Sequence, residues 1–282
     1  MNLLFLLTML SSFTCQNLNK NIFYGESHMN YQLYGTMIVA LICEDGILFA
    51  SDSRSSFILN KEHSRKVYAY FDNDEKLFNI GKYIIGSSGI SMLNKKFLKE
   101  IIDDYNKSSY SKTNMEETFD NFITFLKSNN NLTDSTIFAD NEFIMAGYEN
   151  YKPLIIAQDF KGKIIQGNIA NMIHSYPEFR NFMKVDQDIK PTCGNITPLL
   201  ECAIYNFAAH KSDHKIGGPL DIIKINPDNS HEIIKSFNPN HFKTYKEMAE
   251  AILNKKISVN YIFPFSEELL SKTLKEGIEL GY

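Results

Sequence analysis

The strongest constraint on the fold is a ribbon near the start of the chain. Two apolar runs, Met37–Cys43 and Ile47–Ala50, flank Glu44-Asp45-Gly46. An Asp-Gly step between strand-like runs predicts a hairpin, because glycine accepts the positive φ of tight turns. Both runs are near-continuous in apolar residues, so the ribbon is expected to be buried on both faces. A three-residue loop with Gly46 at the bulge position sets Cys43 opposite Ile47 and Asp52 opposite Ile38. With a side-chain period of two, Thr36 and Asp52 then share one end of one sheet face. A long cationic side chain could bridge them there. A two-residue Asp-Gly turn would put Asp52 opposite Val39 and break that parity.

Further strands are predicted over Lys66–Phe71, Lys76–Ile80 and Tyr83–Gly86, with a polar stretch at Asn60–Arg65. Ser87-Ser88-Gly89 then breaks the pattern, and a helix begins whose apolar positions Leu93, Phe97, Ile101 and Tyr105 recur every four residues. A second helix is predicted from Thr113, capped with Glu116, with Met115, Phe119, Phe122, Ile123 and Leu126 as its stripe. Both stripes read as core packing. Strands follow at Phe143–Gly147, Leu154–Gln158 and Lys163–Gly167. A short helix is predicted at Tyr176–Met183 and another at Pro198–His210, with Leu199, Cys202, Ala203, Asn206 and Phe207 on one face. Two strands, Leu220–Ile225 and Glu232–Phe237, precede a helical tail, Lys243–Tyr282. Strand runs that alternate with helix pairs predict an α+β layered fold.

Composition narrows the function classes. The 282 residues are 44% hydrophobic and 22% charged, as in ordinary globular proteins. A net charge of −4 with scattered lysines leaves no basic footprint for nucleic acid. The four cysteines show neither a CxxC pair nor disulfide-dense spacing, so no zinc site is indicated. His210 and His214 lack a third ligand, and no cofactor motif is present. The apolar run Leu3–Leu10 is too short to span a bilayer, so no stable membrane span is expected. It has the size of a signal-peptide core, with small residues after it. Residues 1–15 are therefore read as a possible signal peptide, which implies export to a secreted or periplasmic location. The alternatives are an apolar stretch of a propeptide and a cytoplasmic protein. Residues 1–35 are read as a leader, polar and without period from Gln16 to Tyr34.

Gly35-Thr36, a strand, Asp45-Gly46, a strand and Ala50-Ser51-Asp52-Ser53-Arg54 together resemble the start of a mature proteasome β-type subunit. That family belongs to the N-terminal nucleophile hydrolases. Glu75-Lys76-Leu77 with Ser88-Gly89, Met145-Ala146-Gly147-Tyr148, and Asp213 with Gly217-Gly218 extend the resemblance to about Ile234. It implies a four-layer αββα sandwich over 36–237; beyond it, 238–282 are read as a helical extension with two helices. It also implies an autocatalytic cut between Gly35 and Thr36 and assembly into a homo- or hetero-oligomer. The substrate class it implies is peptide or protein.

The chemistry needs these residue types. A threonine hydroxyl is a poor nucleophile at neutral pH and requires a base within hydrogen-bond reach. A freshly exposed α-amino group, with a reference pKa near 8, can be that base in the same residue. The resemblance places a lysine beside Thr36, Lys76 by motif with Lys66 as rival, oriented by Asp52. It places an oxyanion N–H near Gly89 and adds Asp213 to the site. The chain departs from the family's pattern: the Lys76–Gly89 step is one residue shorter, and the signal-like leader and the tail after Phe237 are atypical. An insertion lies within Asn60–Asn73, Ile216 stands where a serine is expected, and no Gly-Ser-Gly is found near Ala170–Tyr176. The reading is a threonine-type peptidase. A non-catalytic subunit of the same fold and an amidase for small amides stay open beside it.

Overall fold

The computed structural model describes residues 31–35, 37–61, 64–93, 96–108, 110, 114–130, 133, 137–138, 141–168, 172–183, 191–211 and 214–281. Thr36, Asp213 and the signal-like run lie outside the described residues. The strands are β1 Tyr31–Gly35, β2 Ile38–Cys43, β3 Gly46–Asp52, β4 Ser55–Lys61, β5 Ser64–Phe71, β6 Leu77–Ile80, β7 Tyr83–Ile90, β8 Met92–Leu93 and β9 Lys96–Phe97. They continue as β10 Glu142–Glu149, β11 Lys152–Asp159, β12 Gly162–Gln166, β13 Met172–His174, β14 Leu220–Ile225, β15 His231–Lys235 and β16 Asn260–Tyr261. The helices are α1 Leu98–Lys107, α2 Met115–Asn130, α3 Cys193–Lys211, α4 Tyr245–Leu253 and α5 Ser266–Glu279.

Two antiparallel sheets stack face to face. One has nine strands in the order β12-β11-β10-β7-β1-β4-β5-β16, with β6 also on β7; the other has five, β13-β2-β3-β14-β15. Their inner faces meet in a dry cluster of Ile38, Ala40, Ile42, Ile47 and Phe49 against Leu77, Ile84, Ile144, Ala146 and Ile155. The alternate residues of β2 and β3 face outward onto α3, where Met37, Val39, Leu41, Leu48 and Ala50 pack with Ile196, Leu200, Ala203 and Phe207. On the far side, α1 and α2 bury Ile101, Ile102, Tyr105, Phe119 and Phe122 against Ile85, Phe143 and Met145. The result is a four-layer αββα sandwich. It explains why β2 and β3 carry no polar alternation: both faces are covered.

The hairpin register differs from the expectation. Cys43 pairs with Gly46 and Ile38 with Ser51, so Glu44-Asp45 is a two-residue turn and Asp52 falls opposite Met37. Gly46 is not a bulge residue; it is needed because a Cβ there would meet the Lys224 side chain at 2.9 Å, the Ile225 carbonyl at 3.0 Å and Cys193 Sγ at 3.1 Å. Gly89 does not open a helix. It lies within β7 at φ 114°, and α1 starts only at Leu98, after the small β8–β9 hairpin. The second helix is capped one residue later than Thr113: Asn114 Oδ1 accepts from Glu117 N–H at 2.8 Å. In α3 the buried face is Ile196, Leu200, Ala203, Ile204 and Phe207, whereas Leu199, Cys202 and Asn206 are exposed.

Two expected boundaries also shift. The last five residues of the leader form β1, an inner strand between β4 and β7. The tail is no detached extension: β16 pairs with β5, and α4 and α5 cover Phe57, Tyr68 and Phe71. The insertion expected in Asn60–Asn73 falls largely on the β4–β5 hairpin.

Candidate functional site

The chain crosses from the nine-stranded to the five-stranded sheet between Gly35 and Ile38. Along one side of β7, β1 and β6 lie end to end: Gly35 pairs with Gly89, and Leu77 with Gly86. Lys76 stands in the gap between them. Its ammonium lies 2.9 Å from where a Cβ on Gly35 would stand, and the Arg54 carbonyl lies closer still. No side chain larger than hydrogen fits at Gly35 without moving backbone.

Lys76 is 4% exposed, and all three of its protons are used. It donates to Asp74 Oδ2 at 2.6 Å, Ser55 Oγ at 2.8 Å and Ser91 Oγ at 2.9 Å. Ser55 also donates to Asp74. The ion-pair partner is thus Asp74, and not Asp52 as expected. A buried ammonium is tolerable only with such a partner and such hydrogen bonds. Lys66, the rival, is exposed on β5.

Asp52 has a different task. It is wholly buried; Oδ1 accepts from Met37 N–H at 2.9 Å and Oδ2 from Gly217 N–H at 2.6 Å. It ties the residue after Thr36 to the Gly217-Gly218 loop. Burial pushes its carboxyl up to about 7, against the backbone N–H groups of Gly217, Met37 and Arg54 and the charge of Lys76, which pull it down. Gly218, at φ 77°, lies where a Cβ would meet Ser53 Oγ at 2.6 Å. Arg54 is ion-paired to Asp72 at 2.8 Å and stacks over Tyr70.

Asp74 and Ser175 were missed by sequence reasoning. Asp74 could have been found, since an Asp-x-Lys step in extended chain puts both side chains on one side. Ser55 opens β4 and Ser91 lies between β7 and β8, so the fold and not a local motif brings both to Lys76. Ser175, at the end of β13, fastens the start of β2: its Oγ accepts from Ile38 N–H, and its own N–H donates to the Ile38 carbonyl, both at 3.1 Å.

Two cavities flank the gap. A small one of about 20 Å³, room for one water, is lined by Asp74, Lys76, Ser87, Ser91, Phe97 and Phe242. Ser87 Oγ is buried there without a hydrogen-bond partner among the described residues. A larger one of about 270 Å³ is lined by Tyr34, Gly35, Gly89, Glu142, Asp159 and Lys215. Burial, then the like charge of Asp159, push Glu142 up to about 8. No group of three metal-ligating side chains is found among the described residues, and no described helix is long and apolar enough to cross a membrane.

The four-layer αββα sandwich is a fold of the N-terminal nucleophile hydrolase type. Among solved structures, a mutant of Anbu from Hyphomicrobium sp. strain MC1 matches with a TM-score of 0.50 and 12% identity, covering 87% of this chain and 96% of that one. A second Anbu structure from the same organism has 13% identity, the same coverage and a TM-score of 0.45. No family model and no curated protein matches the sequence. The resemblance to proteasome β-type subunits is corrected accordingly. Anbu is a distinct family, and what this chain shares with these relatives is the fold.

Proposed function

We propose that the chain is a threonine-nucleophile hydrolase that cuts itself between Gly35 and Thr36 and then cleaves amide bonds in peptides. The observation that carries this reading is the buried Lys76 ammonium beside Gly35. After the cut, the Thr36 amine serves as base and its hydroxyl attacks a substrate carbonyl. A nearby positive charge lowers the pKa of both groups, and Asp74, Ser55 and Ser91 hold Lys76 where it can act. An N–H of the Ser88–Gly89 stretch of β7 receives the developing oxyanion. Water then hydrolyses the ester on Thr36. Asp52 acts by positioning, through Met37 and Gly217. Oligomeric assembly belongs to the same proposal; the outermost strands β12 and β15 expose Ile164, Ile165, Ile233 and Ile234.

The test is intact mass and N-terminal sequencing of the purified chain, with Thr36→Ala and Lys76→Ala beside it. We expect a chain starting at Thr36 in the unmutated protein and uncut chains in both variants. A mature chain that starts elsewhere would sink the threonine mechanism.

A further inference from the structure

The end of the leader is built into the nine-stranded sheet as an inner strand. Tyr31–Tyr34 pair with Ser56–Leu59 of β4, and Tyr34 and Gly35 pair with Ile90 and Gly89 of β7. Ser91 N–H adds a bond to the Leu33 carbonyl at 3.4 Å. Leu33 and Tyr34 are each 7% exposed. Leu33 packs in one cluster with Phe57, Phe71, Met248 and Leu270, and Tyr34 in another with Ile58 and Val67. Among the described residues no other strand lies between β4 and β7, so loss of β1 divides the sheet and bares two edges at once.

We propose that the leader stays bound after the cut, as a non-covalent second chain that fills the slot between β4 and β7. The proposal rests on the cut at Gly35–Thr36. Hydrolysis breaks the Gly35 C–N bond. The water oxygen remains on Gly35 as a carboxylate, one water proton goes to the Thr36 nitrogen to make the amine, and the other is released to solvent. The new carboxylate forms beside the Lys76 ammonium, so the cut adds an attraction at the end of β1 while leaving its strand pairing and its two buried side chains intact. Strand addition of this kind takes its affinity from main-chain bonds and its register from alternate side chains. Held there, the fragment occupies the place beside Lys76 and Gly89 that a peptide substrate needs, so a substrate has to displace its end.

Full-length protein is purified by gel filtration without denaturant, and the peak is then separated by mass under denaturing conditions. The expected result is two chains in equal amounts, one ending at Gly35 and one starting at Thr36. Leu33→Ala, which removes the buried anchor, is expected to lower the retained fragment at least tenfold. A chain starting at Thr36 with no fragment in the same peak overturns retention and leaves the cut standing. A single chain of full mass overturns both. Equal retention in Leu33→Ala, with its elution volume unchanged, removes the role of the cluster and overturns the slot as the binding site.

Discussion

Asp52 spends both carboxyl oxygens on backbone N–H groups from two different loops, so its charge state is coupled to the geometry of both. Its folded pKa is raised to about 7, whereas the unfolded carboxyl titrates near 3.9. The sign follows from linkage. Between roughly pH 4 and pH 7 the unfolded chain has already released this proton and the folded chain has not, so stability falls as pH rises through that window. Below it, the contribution is complete. In Asp52→Asn that segment of the pH dependence disappears. The amide also turns a donor toward Met37 or Gly217, at a cost of about 1–3 kcal/mol for an unsatisfied buried group. Urea midpoints at about pH 4.5 and pH 7.5 give the check. Parallel slopes for the two proteins would show that Asp52 does not titrate there. At this scale the motif residues were legible because spacing carries them. The bonds that hold them were not, since Ser55, Ser91 and Ser175 reach their partners through contacts between distant segments.

At the scale of elements, apolar pattern located most strands and helices, while contacts from elsewhere set their ends. Pro198 reads as a helix start because proline suits the first turn. Instead α3 begins at Cys193, whose N–H donates to Asp45 of the hairpin turn at 2.7 Å. A local cap adds to it and was overlooked: Asn195 Oδ1 accepts from Thr192 N–H at 2.9 Å and Thr192 Oγ1 from Asn195 N–H at 3.4 Å. Leu93 and Phe97 are buried as expected, yet as strand residues, so the period of four that runs through them was shared between two structures. The tail shows the reverse case. Two helices were legible from sequence, but not that Met248, Leu270 and Leu274 close the core over Phe57 and Phe71. Leu270 is 1% exposed, so Leu270→Ala should cost about 2–5 kcal/mol by cavity formation. Thermal or urea unfolding measures this. A loss under about 1 kcal/mol would mean that the tail packs elsewhere.

The whole molecule divides into a sandwich and a wing. The sandwich holds β2, β3, β7, β10 and their helices, closed by the inter-sheet cluster. The wing holds β4, β5, β16, α4 and α5, with its own core. Among the described strands, the wing is paired to the sandwich through β1, with the Phe97–Phe242 contact and the Lys96–Thr244 bridge at the helical layer. A unit held by fewer buried contacts opens at lower free energy than the core it borders. Amide hydrogen exchange should therefore show α4, α5 and β5 exchanging together, ahead of β2, β3 and β10. Leu33→Ala, which loosens the linking strand, should speed the wing and leave β2 and β3 unchanged. Were wing amides as slow as those of β2, or were both groups accelerated equally by the substitution, the two parts would unfold as one. Independent opening of the wing would make β1 the strand that sets how far β4 can part from β7, and so how wide the gap beside Lys76 becomes.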